Sequence, residues 1–181
     1  MVKSAYSFAT KKEKIKQHII VVWVDNESGA LARVVGLFSG RGYNIDSLAV
    51  AEVDKKKNIS RITISTSGTP HVLEQIKLQL GKLIPVHQVA DFPLNKKTLF
   101  REMALLKIVS SSIKLQKAQK LCKKYKYTVL DKTTKSFVFE VSALKKEIDE
   151  LIKKLQPLGL ASASRTGVVA MTKGPEIYKQ N

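Results

Sequence analysis

The order of strand-like and helix-like segments constrains the fold of this chain most, because one order occurs twice. β-branched and apolar runs predict strands, and apolar residues at helical spacing predict helices. In the first half the predicted order is strand 18–24, helix 30–41, strand 44–54, strand 59–67, a helix introduced by Gly68-Thr69-Pro70 and ended by Pro85, and strand 86–92. This order is β-α-β-β-α-β.

The second half repeats that order. Its predicted segments are strand 102–110, helix 114–126, strand 127–132, strand 136–141, helix 144–155 and strand 161–172. Each unit predicts a four-stranded antiparallel sheet with two helices on one face, so the fold class is α+β with two tandem ferredoxin-like βαββαβ domains. The predicted boundaries are a basic, disordered extension over 1–17, a first domain over 18–93, a linker over 94–98, a second domain over 99–176 and a tail over 177–181.

The net charge of +17 is unevenly distributed along the 181 residues. Residues 18–93 carry eight basic and seven acidic side chains, whereas residues 94–181 carry nineteen basic and seven acidic ones. Most lysines fall on polar positions of predicted helices, which favours a solvated face over a nucleic-acid surface. Nonspecific, salt-sensitive phosphate binding stays open as the weaker interpretation.

Other features of the composition exclude several function classes. The longest apolar runs are too short to cross a bilayer, and the first residues lack a secretory signal, so we expect an unexported, cytoplasmic protein, with an organelle stroma left open. The single cysteine, Cys122, is expected to fill the core. His18, His71 and His87 lack metal-ligand spacing, and Asp149 lies among lysines with which it is expected to pair on an exposed helix.

A polar, glycine-containing segment, Asp25-Asn26-Glu27-Ser28-Gly29, joins the first strand to the first helix. The first N–H groups of a helix have no intrahelical partner and lie at the positive end of the macrodipole, which suits a carboxylate. Gly29 lets a ligand approach the backbone, so the segment predicts a loop that binds a small ligand. As alternatives, Asn26 is a turn or cap residue and Gly29 serves only a tight turn.

Both faces of the first strand are apolar, since Ile20, Val22 and Val24 alternate with Ile19, Val21 and Trp23. Two helices cover only one face of such a sheet, so the other face must also be covered. Oligomerisation is the simplest cover that the sequence suggests.

The residues that resemble a known family form one ordered series: Asn26-Glu27-Ser28-Gly29-Ala30-Leu31, Gly36-Leu37-Phe38, Arg41-Gly42-Tyr43-Asn44-Ile45 and Ser47-Leu48. The series resembles the regulatory (small) subunit of acetolactate synthase, also called acetohydroxyacid synthase. The resemblance continues through Ser60-Arg61-Ile62-Thr63, Glu74-Gln75-Ile76, Gln79-Leu80, Lys82-Leu83, Arg101-Glu102, Leu106-Lys107 and Arg165-Thr166-Gly167-Val168. The second half matches mainly through its ends and its element order.

The resemblance implies an N-terminal ACT domain that forms a homodimer with amino-acid sites at the interface, and valine is the expected effector. The family's small subunit has no catalysis of its own; it activates a large catalytic subunit and makes that subunit sensitive to valine. Thiamin diphosphate, Mg²⁺ and FAD are expected on that partner and no cofactor on this chain. The effector residues that the resemblance implies are Asn26, Gly29, Ala30 and Leu31 from one protomer with Asn44 and Ile45 from the facing protomer.

The chemistry of those residues suits a branched amino acid. Backbone N–H groups at residues 29–31 are expected to bind the carboxylate, and the side-chain oxygen of Asn26 or Asn44 to accept from the ammonium. Leu31 and Ile45 are expected to contact the isopropyl group. Alternatively, Asn44 only tolerates a left-handed turn after Gly42.

Two other functions stay open. RNA-recognition domains share this element order, and Phe137 and Phe139 resemble their aromatic strand motif unless both rings point inward beneath the helices. The second alternative is a stand-alone amino-acid sensor. Co-purification with a large thiamin-dependent enzyme would exclude it.

Overall fold

The structure is a computed structural model that describes residues 15–92, 94 and 97–175. It contains two four-stranded antiparallel sheets, each with two helices. The first unit consists of β1 (Lys16–Asp25), α1 (Ala30–Ser39), β2 (Ser47–Asp54), β3 (Ile59–Gly68), α2 (Pro70–Leu80) and β4 (Val86–Phe92). The second unit consists of β5 (Thr98–Val109), α3 (Ser112–Cys122), β6 (Tyr127–Lys132), β7 (Ser136–Ala143), α4 (Lys145–Leu155), a short 3-10 helix (Gln156–Leu158) and β8 (Leu160–Thr172).

The two sheets have the same topology. Their strand orders are β2-β3-β1-β4 and β6-β7-β5-β8, so the first strand of each unit is central and the second strand is an edge. In both units the central strand pairs antiparallel with the third and fourth strands. The ferredoxin-like prediction is therefore confirmed for both halves of the chain.

Each unit buries its helices against one face of its sheet. In the first unit Ile20, Val22, Val34, Ile62 and Ile76 are almost inaccessible and belong to one cluster. The second cluster includes the two rings of β7, Phe137 and Phe139, whose centroids lie 5.1 Å apart. Those rings point inward, so Phe137 and Phe139 do not form the exposed aromatic surface that an RNA-recognition domain would present.

Helix and strand ends differ from the predictions by a few residues, as local capping decides them. The start signal of α2 is confirmed, since the Thr69 side chain accepts from the Val72 N–H at 3.4 Å and Pro70 is the first helical residue. Helix α1 stops at Ser39 instead of residue 41, and α3 stops at Cys122 instead of residue 126.

Several predicted domain boundaries fall near the ends of the described ranges or outside them. Lys16 and Gln17, expected in the basic extension, begin β1, and Thr98, expected in the linker, begins β5. Residues 1–14 of the extension, parts of the linker and the tail over 177–181 lie outside the described residues.

The outer face of the first sheet, the face away from α1 and α2, is covered within the same chain. Ile19, Val21 and Trp23 pack against Val168 and Ala170 of β8 in a third buried cluster, to which Phe100 of β5 adds. The expectation of a cover was right, but oligomerisation is not needed to supply it here. Strands β5 and β8 extend beyond their own helices, and their ends reach the first sheet.

Two smaller findings concern the excluded function classes. Cys122 is fully buried, and burial raises the pKa of its thiol to about 12, as expected of a core residue. Among the described residues, no helix combines the length and apolarity needed to span a membrane.

Candidate functional site

The loop between β1 and α1 is anchored by Asn26. Its N–H donates to the carbonyl oxygen of Asn58 at 2.7 Å, and its side-chain oxygen accepts from the Ser60 hydroxyl at 3.0 Å. Asn26 is exposed and is not the helix cap, because Gly29 occupies that position. The side chain therefore fixes the loop to β3 while one lone pair of its oxygen stays available to an ammonium group.

Gly29 begins the helix in a left-handed conformation, with φ 86° and ψ −10°. A β-carbon built there would meet no atom within 4 Å, so the space in front of this residue is open. The tight-turn interpretation and the ligand-approach interpretation are thus compatible. Glycine tolerates the backbone angle and also leaves the helix end accessible.

One of the three predicted N–H donors, that of Ala30, is already used within the loop. The N–H of Ala30 donates to the Glu27 carbonyl oxygen at 3.2 Å and is not available to a ligand. In the part of the chain that is described, no hydrogen bond is formed by the N–H groups of Leu31 and Ala32. These two donors lie at the positive end of the α1 macrodipole. Sequence reasoning missed Ala32, which could be found only once Gly29 was known to be the cap.

A charged pair flanks the loop and was also missed. Arg33 Nη1 donates to Glu27 Oε1 at 2.9 Å, and each side chain is about half exposed. The pair joins the loop to the first turn of α1. Because Arg33 offsets the charge of Glu27, that carboxylate repels an anion near the two free N–H groups less than an unpaired one would.

Asn44 and Ile45 lie at the other end of the first sheet. The carbonyl oxygen of Asn44 accepts from Thr66, and Thr66 pairs with His18 near the start of β1, whereas Asn26 follows the end of β1. The residues that donate to them, Ser60 to Asn26 and Thr66 to Asn44, are six positions apart on β3, so at the usual rise of about 3.3 Å per residue the two groups are roughly 20 Å apart. The structure therefore does not bring all six predicted residues together in one chain.

Asn44 itself is held by polar contacts and not by a strained backbone. Its Nδ2 donates to Asp46 Oδ1 at 2.7 Å, which leaves the carboxamide oxygen available as an acceptor. Gly42 is left-handed, with φ 68°, but Asn44 is not, since Asn58 is the one non-glycine residue with a positive φ among the described residues; the left-handed interpretation of Asn44 is therefore wrong. Ile45 is half-buried and packs on the core beneath the helices.

Two of the histidines each lie beside one aspartate. His87 Nε2 lies 2.7 Å from Asp25 Oδ1, and His18 Nδ1 lies 3.4 Å from Asp91 Oδ1. No group of three or more His, Cys, Asp or Glu side chains within the described ranges is placed to hold a metal ion.

Asp149 is more than a surface residue. It pairs with Lys145 at 3.1 Å, as predicted, and also accepts from Arg165 Nη1 at 2.6 Å. Arg165 in turn forms two hydrogen bonds with the carboxylate of Glu102, which is 3% exposed. The interaction with Glu102 raises the pKa of Arg165.

Comparisons with known proteins agree with this architecture. Residues 20–88 match the family model described as the acetohydroxyacid synthase small subunit-like ACT domain, and residues 101–174 match the model described as the small subunit of acetolactate synthase. The two matched ranges correspond to the first and second units.

Individual relatives match along most of their length. The acetolactate synthase small subunit of Aquifex aeolicus is 34% identical over 171 residues, covering 94% of this chain and 88% of the relative. The acetolactate synthase isozyme 3 small subunit of Salmonella typhimurium is 35% identical over 164 residues, covering 90% and 99%. The crystal structure of the acetolactate synthase small subunit from Thermotoga maritima superposes with a TM-score of 0.81 at 29% identity, covering 89% of this chain and 99% of that one. The chain therefore belongs to the family of acetolactate synthase small subunits, and its first unit is an ACT domain.

Proposed function

We propose that this chain regulates acetolactate synthase in the cytoplasm by binding valine between two copies of its ACT domain. In this role it activates the catalytic subunit and makes it sensitive to feedback inhibition in the biosynthesis of branched-chain amino acids. Thiamin diphosphate, Mg²⁺ and FAD belong to the catalytic partner in this proposal. The observation that carries it is the open, left-handed Gly29 cap, which presents the N–H groups of Leu31 and Ala32 beside an anchored Asn26.

The free donors suit the carboxylate of an amino acid. Leu31 is 40% exposed beside its own N–H, so an apolar side chain and a backbone donor face the same space. The side-chain oxygen of Asn26 is an acceptor for the ammonium group. The three requirements of a branched zwitterion, namely a donor, an acceptor and an apolar contact, are met within six residues.

The position of Asn44 supports a site that two copies share. Because Asn26 and Asn44 lie at opposite ends of the sheet, a twofold axis beside the sheet would place the Asn44 end of one copy next to the Asn26 end of the other. Strand β2 lies at the edge of the sheet and exposes Val50 and Val53 by 43% and 51%. An edge strand whose later residues expose apolar side chains is suited to pairing with a second copy there, while its first residue, Ser47, contacts β8.

The energetics required for regulation are modest. A ligand changes an equilibrium between two arrangements only by binding one of them better. A tenfold preference corresponds to about 1.4 kcal/mol, which one charge-assisted hydrogen bond can supply. The carboxylate bonds to Leu31 and Ala32 are the strongest candidates for that difference.

The proposal is tested with the catalytic subunit reconstituted with this chain. Asn26→Ala and Gly29→Asp should leave activation within about twofold and raise the valine concentration for half-inhibition at least about tenfold, because the first removes the acceptor for the ammonium group and the second places a carboxylate in the open space at the helix end. Gly174→Asp is the matched control, since Gly174 is also left-handed with open space around it, at φ 76°. Wild-type valine sensitivity in both site variants would refute the site.

Calorimetric titration of this chain with valine, leucine and isoleucine then identifies the effector. We expect one binding site per ACT protomer and a loss of heat in Gly29→Asp. Absence of binding by every branched amino acid would refute the effector class. Failure to co-purify with a thiamin diphosphate-dependent enzyme would favour the stand-alone sensor.

A further inference from the structure

Three segments that the effector site does not use meet at one place, which we call the joint. It consists of Ser47 and Leu48 at the start of β2, Arg61 on β3, and Gly167, Val168 and Ala170 of β8. The joint connects the ACT domain to the edge strand of the second sheet. Each of its contacts uses a backbone group that an edge strand would otherwise leave unpaired.

Arg61 holds one side of the joint. Its Nη2 donates to the Ala170 carbonyl oxygen at 2.5 Å, and its guanidinium lies 5.4 Å from the Trp23 ring centre and 5.6 Å from that of Phe92. The half-buried guanidinium forms no ion pair within the described residues, and burial lowers its pKa. A cation is costly in such a place unless its hydrogen bonds are retained. The bond to Ala170 is therefore expected to persist whenever the two units stay packed.

Ser47 and Gly167 hold the other side. The N–H of Val168 donates to the Ser47 hydroxyl oxygen at 3.4 Å. Gly167 is left-handed, with φ 79°, and a β-carbon built on it would lie 3.3 Å from the Leu48 carbonyl oxygen. Only glycine allows the two backbones to come this close without a shift.

A bulge separates the two roles of β8. The pairing with β5 shifts between Glu102 and Ala104, where Thr166 and Gly167 stand opposite Met103. Arg165, before the bulge, donates to Glu102, which pairs with Val168 after the bulge, so this ion pair spans the bulge. Val168 also packs on the ACT sheet. Movement of the ACT domain at the joint must therefore act on a strand that is anchored in the second unit.

Both halves of the proposed effector site connect directly to the joint. Asn26 accepts from Ser60, and the next residue, Arg61, donates to Ala170. On the other side, Ile45 is two residues before Ser47, which accepts from Val168. Ser60, the donor to Asn26, is thus one residue from a hydrogen bond to β8, and Ile45 and Asn44 are two and three residues from another.

We propose that the joint transmits effector occupancy from the ACT domain to the second domain through these two short routes. This inference rests on the proposed function. Arg61 and Gly167 are positioning residues in it: they do not contact the effector, and they fix how β8 lies on the ACT sheet. Contact alone does not establish coupling, so the test must separate binding from its consequence.

The first experiment uses Arg61→Gln in the reconstituted holoenzyme. Valine affinity by calorimetry and activation without valine should each stay within about twofold of wild type, while the residual activity at saturating valine rises at least about threefold. Arg101→Gln is the matched control, because Arg101 is exposed on β5 and donates only to the neighbouring Phe100 carbonyl oxygen among the described residues. Arg61→Lys, which keeps the charge, should recover part of the inhibition.

Gly167→Ala provides an independent disturbance of the same joint. It should give the same split between intact binding and weakened inhibition. Gly174→Ala introduces the same left-handed strain at a position with no neighbour within 4 Å, so valine should inhibit the holoenzyme that contains this variant as it inhibits wild type. Full inhibition in both Arg61→Gln and Gly167→Ala, or loss of valine binding in either, would overturn the proposal.

Hydrogen exchange on the unmodified holoenzyme tests the proposal without any substitution. Valine should change the exchange rate of amides in residues 168–172 at least about twofold, and residues 160–164 of the same strand, before the bulge, should change less. Equal or absent changes would overturn the joint as a route. If wild type neither binds valine nor is inhibited by it, the proposed function fails instead.

Discussion

After the central strand of each sheet, the chain enters a helix through two equivalent hydrogen bonds. The last residue of the first strand, Asp25, donates to Pro85 at 2.8 Å, and its counterpart Val109 donates to Gly159 at 2.9 Å. The residue that follows then donates to the turn of the neighbouring hairpin. These second bonds join Asn26 to Asn58 and Ser110 to Lys135, at 2.7 and 3.1 Å.

Beyond those bonds the two turns diverge. In the first unit Glu27 and Ser28 precede the cap Gly29, whereas in the second unit the cap Ser111 follows Ser110 at once. Gly159 packs tightly against the second turn, since a β-carbon there would lie 2.6 Å from the Val109 carbonyl oxygen. The first turn thus has two added residues and a left-handed cap with open space at Gly29, where the second turn has the closely packed Gly159, although the fold is the same.

The ion pairs of the two units differ in the same sense. The pair beside the first turn, Glu27 and Arg33, is about half exposed, while the pair in the second unit includes the buried Glu102. We expect the first to adjust to a ligand and the second to hold the fold. The predictions below test this contrast, from the largest expected effect to the smallest.

Arg165→Met should lower the free energy of unfolding by about 4 kcal/mol, because it leaves the Glu102 carboxylate buried without its partner. Arg33→Met should lower it by less than about 1 kcal/mol, since exposed ion pairs contribute little. Urea unfolding measures both. The double variant with Glu102→Leu should recover much of the loss. Equal losses in the two single variants would contradict the contrast.

Gly159→Ala should destabilise the protein by about 3 kcal/mol, from left-handed strain together with the clash against Val109. Gly29→Ala should cost about 1 kcal/mol, because only the strain applies where the space is open. Thermal unfolding of the two variants checks the difference. A larger loss for Gly29→Ala would mean that the first turn is packed as closely as the second.

Asp149→Asn should give a small loss of stability that depends on pH. Burial raises the pKa of Asp149, but the hydrogen bonds from Arg165 and Lys145 lower that pKa by a larger amount. The net shift of the pKa is therefore downward. The charged form is then favoured in the folded state, and its contribution is present above the ordinary pKa of about 4 and is lost as pH falls through the folded value. The difference in Tm between wild type and variant should be largest near neutral pH and should disappear in strong acid. A difference that widens on acidification would show the opposite sign.

Much of the fold follows from local patterns. Strands β4 and β6 have the predicted bounds, since their apolar residues and their flanking turns agree. Helix ends were less predictable, because α1 and α3 stop where the backbone finds capping partners. In the site, the roles of Asn26 and Gly29 in the loop were visible from residue type. The use of the Ala30 N–H by Glu27 and the availability of Ala32 depend on one backbone angle that residue type does not specify.

The sequence by itself determined the two βαββαβ units, the family and the loop that faces solvent at the start of α1, because each depends on short-range periodicity or on residues close together in the chain. Only the tertiary structure decided that β8 covers the ACT sheet, that Arg61 holds Ala170 and that Arg165 pairs with Glu102. The two hydrogen bonds join residues 109 and 63 positions apart, and the energies of all these contacts depend on burial that no local pattern specifies.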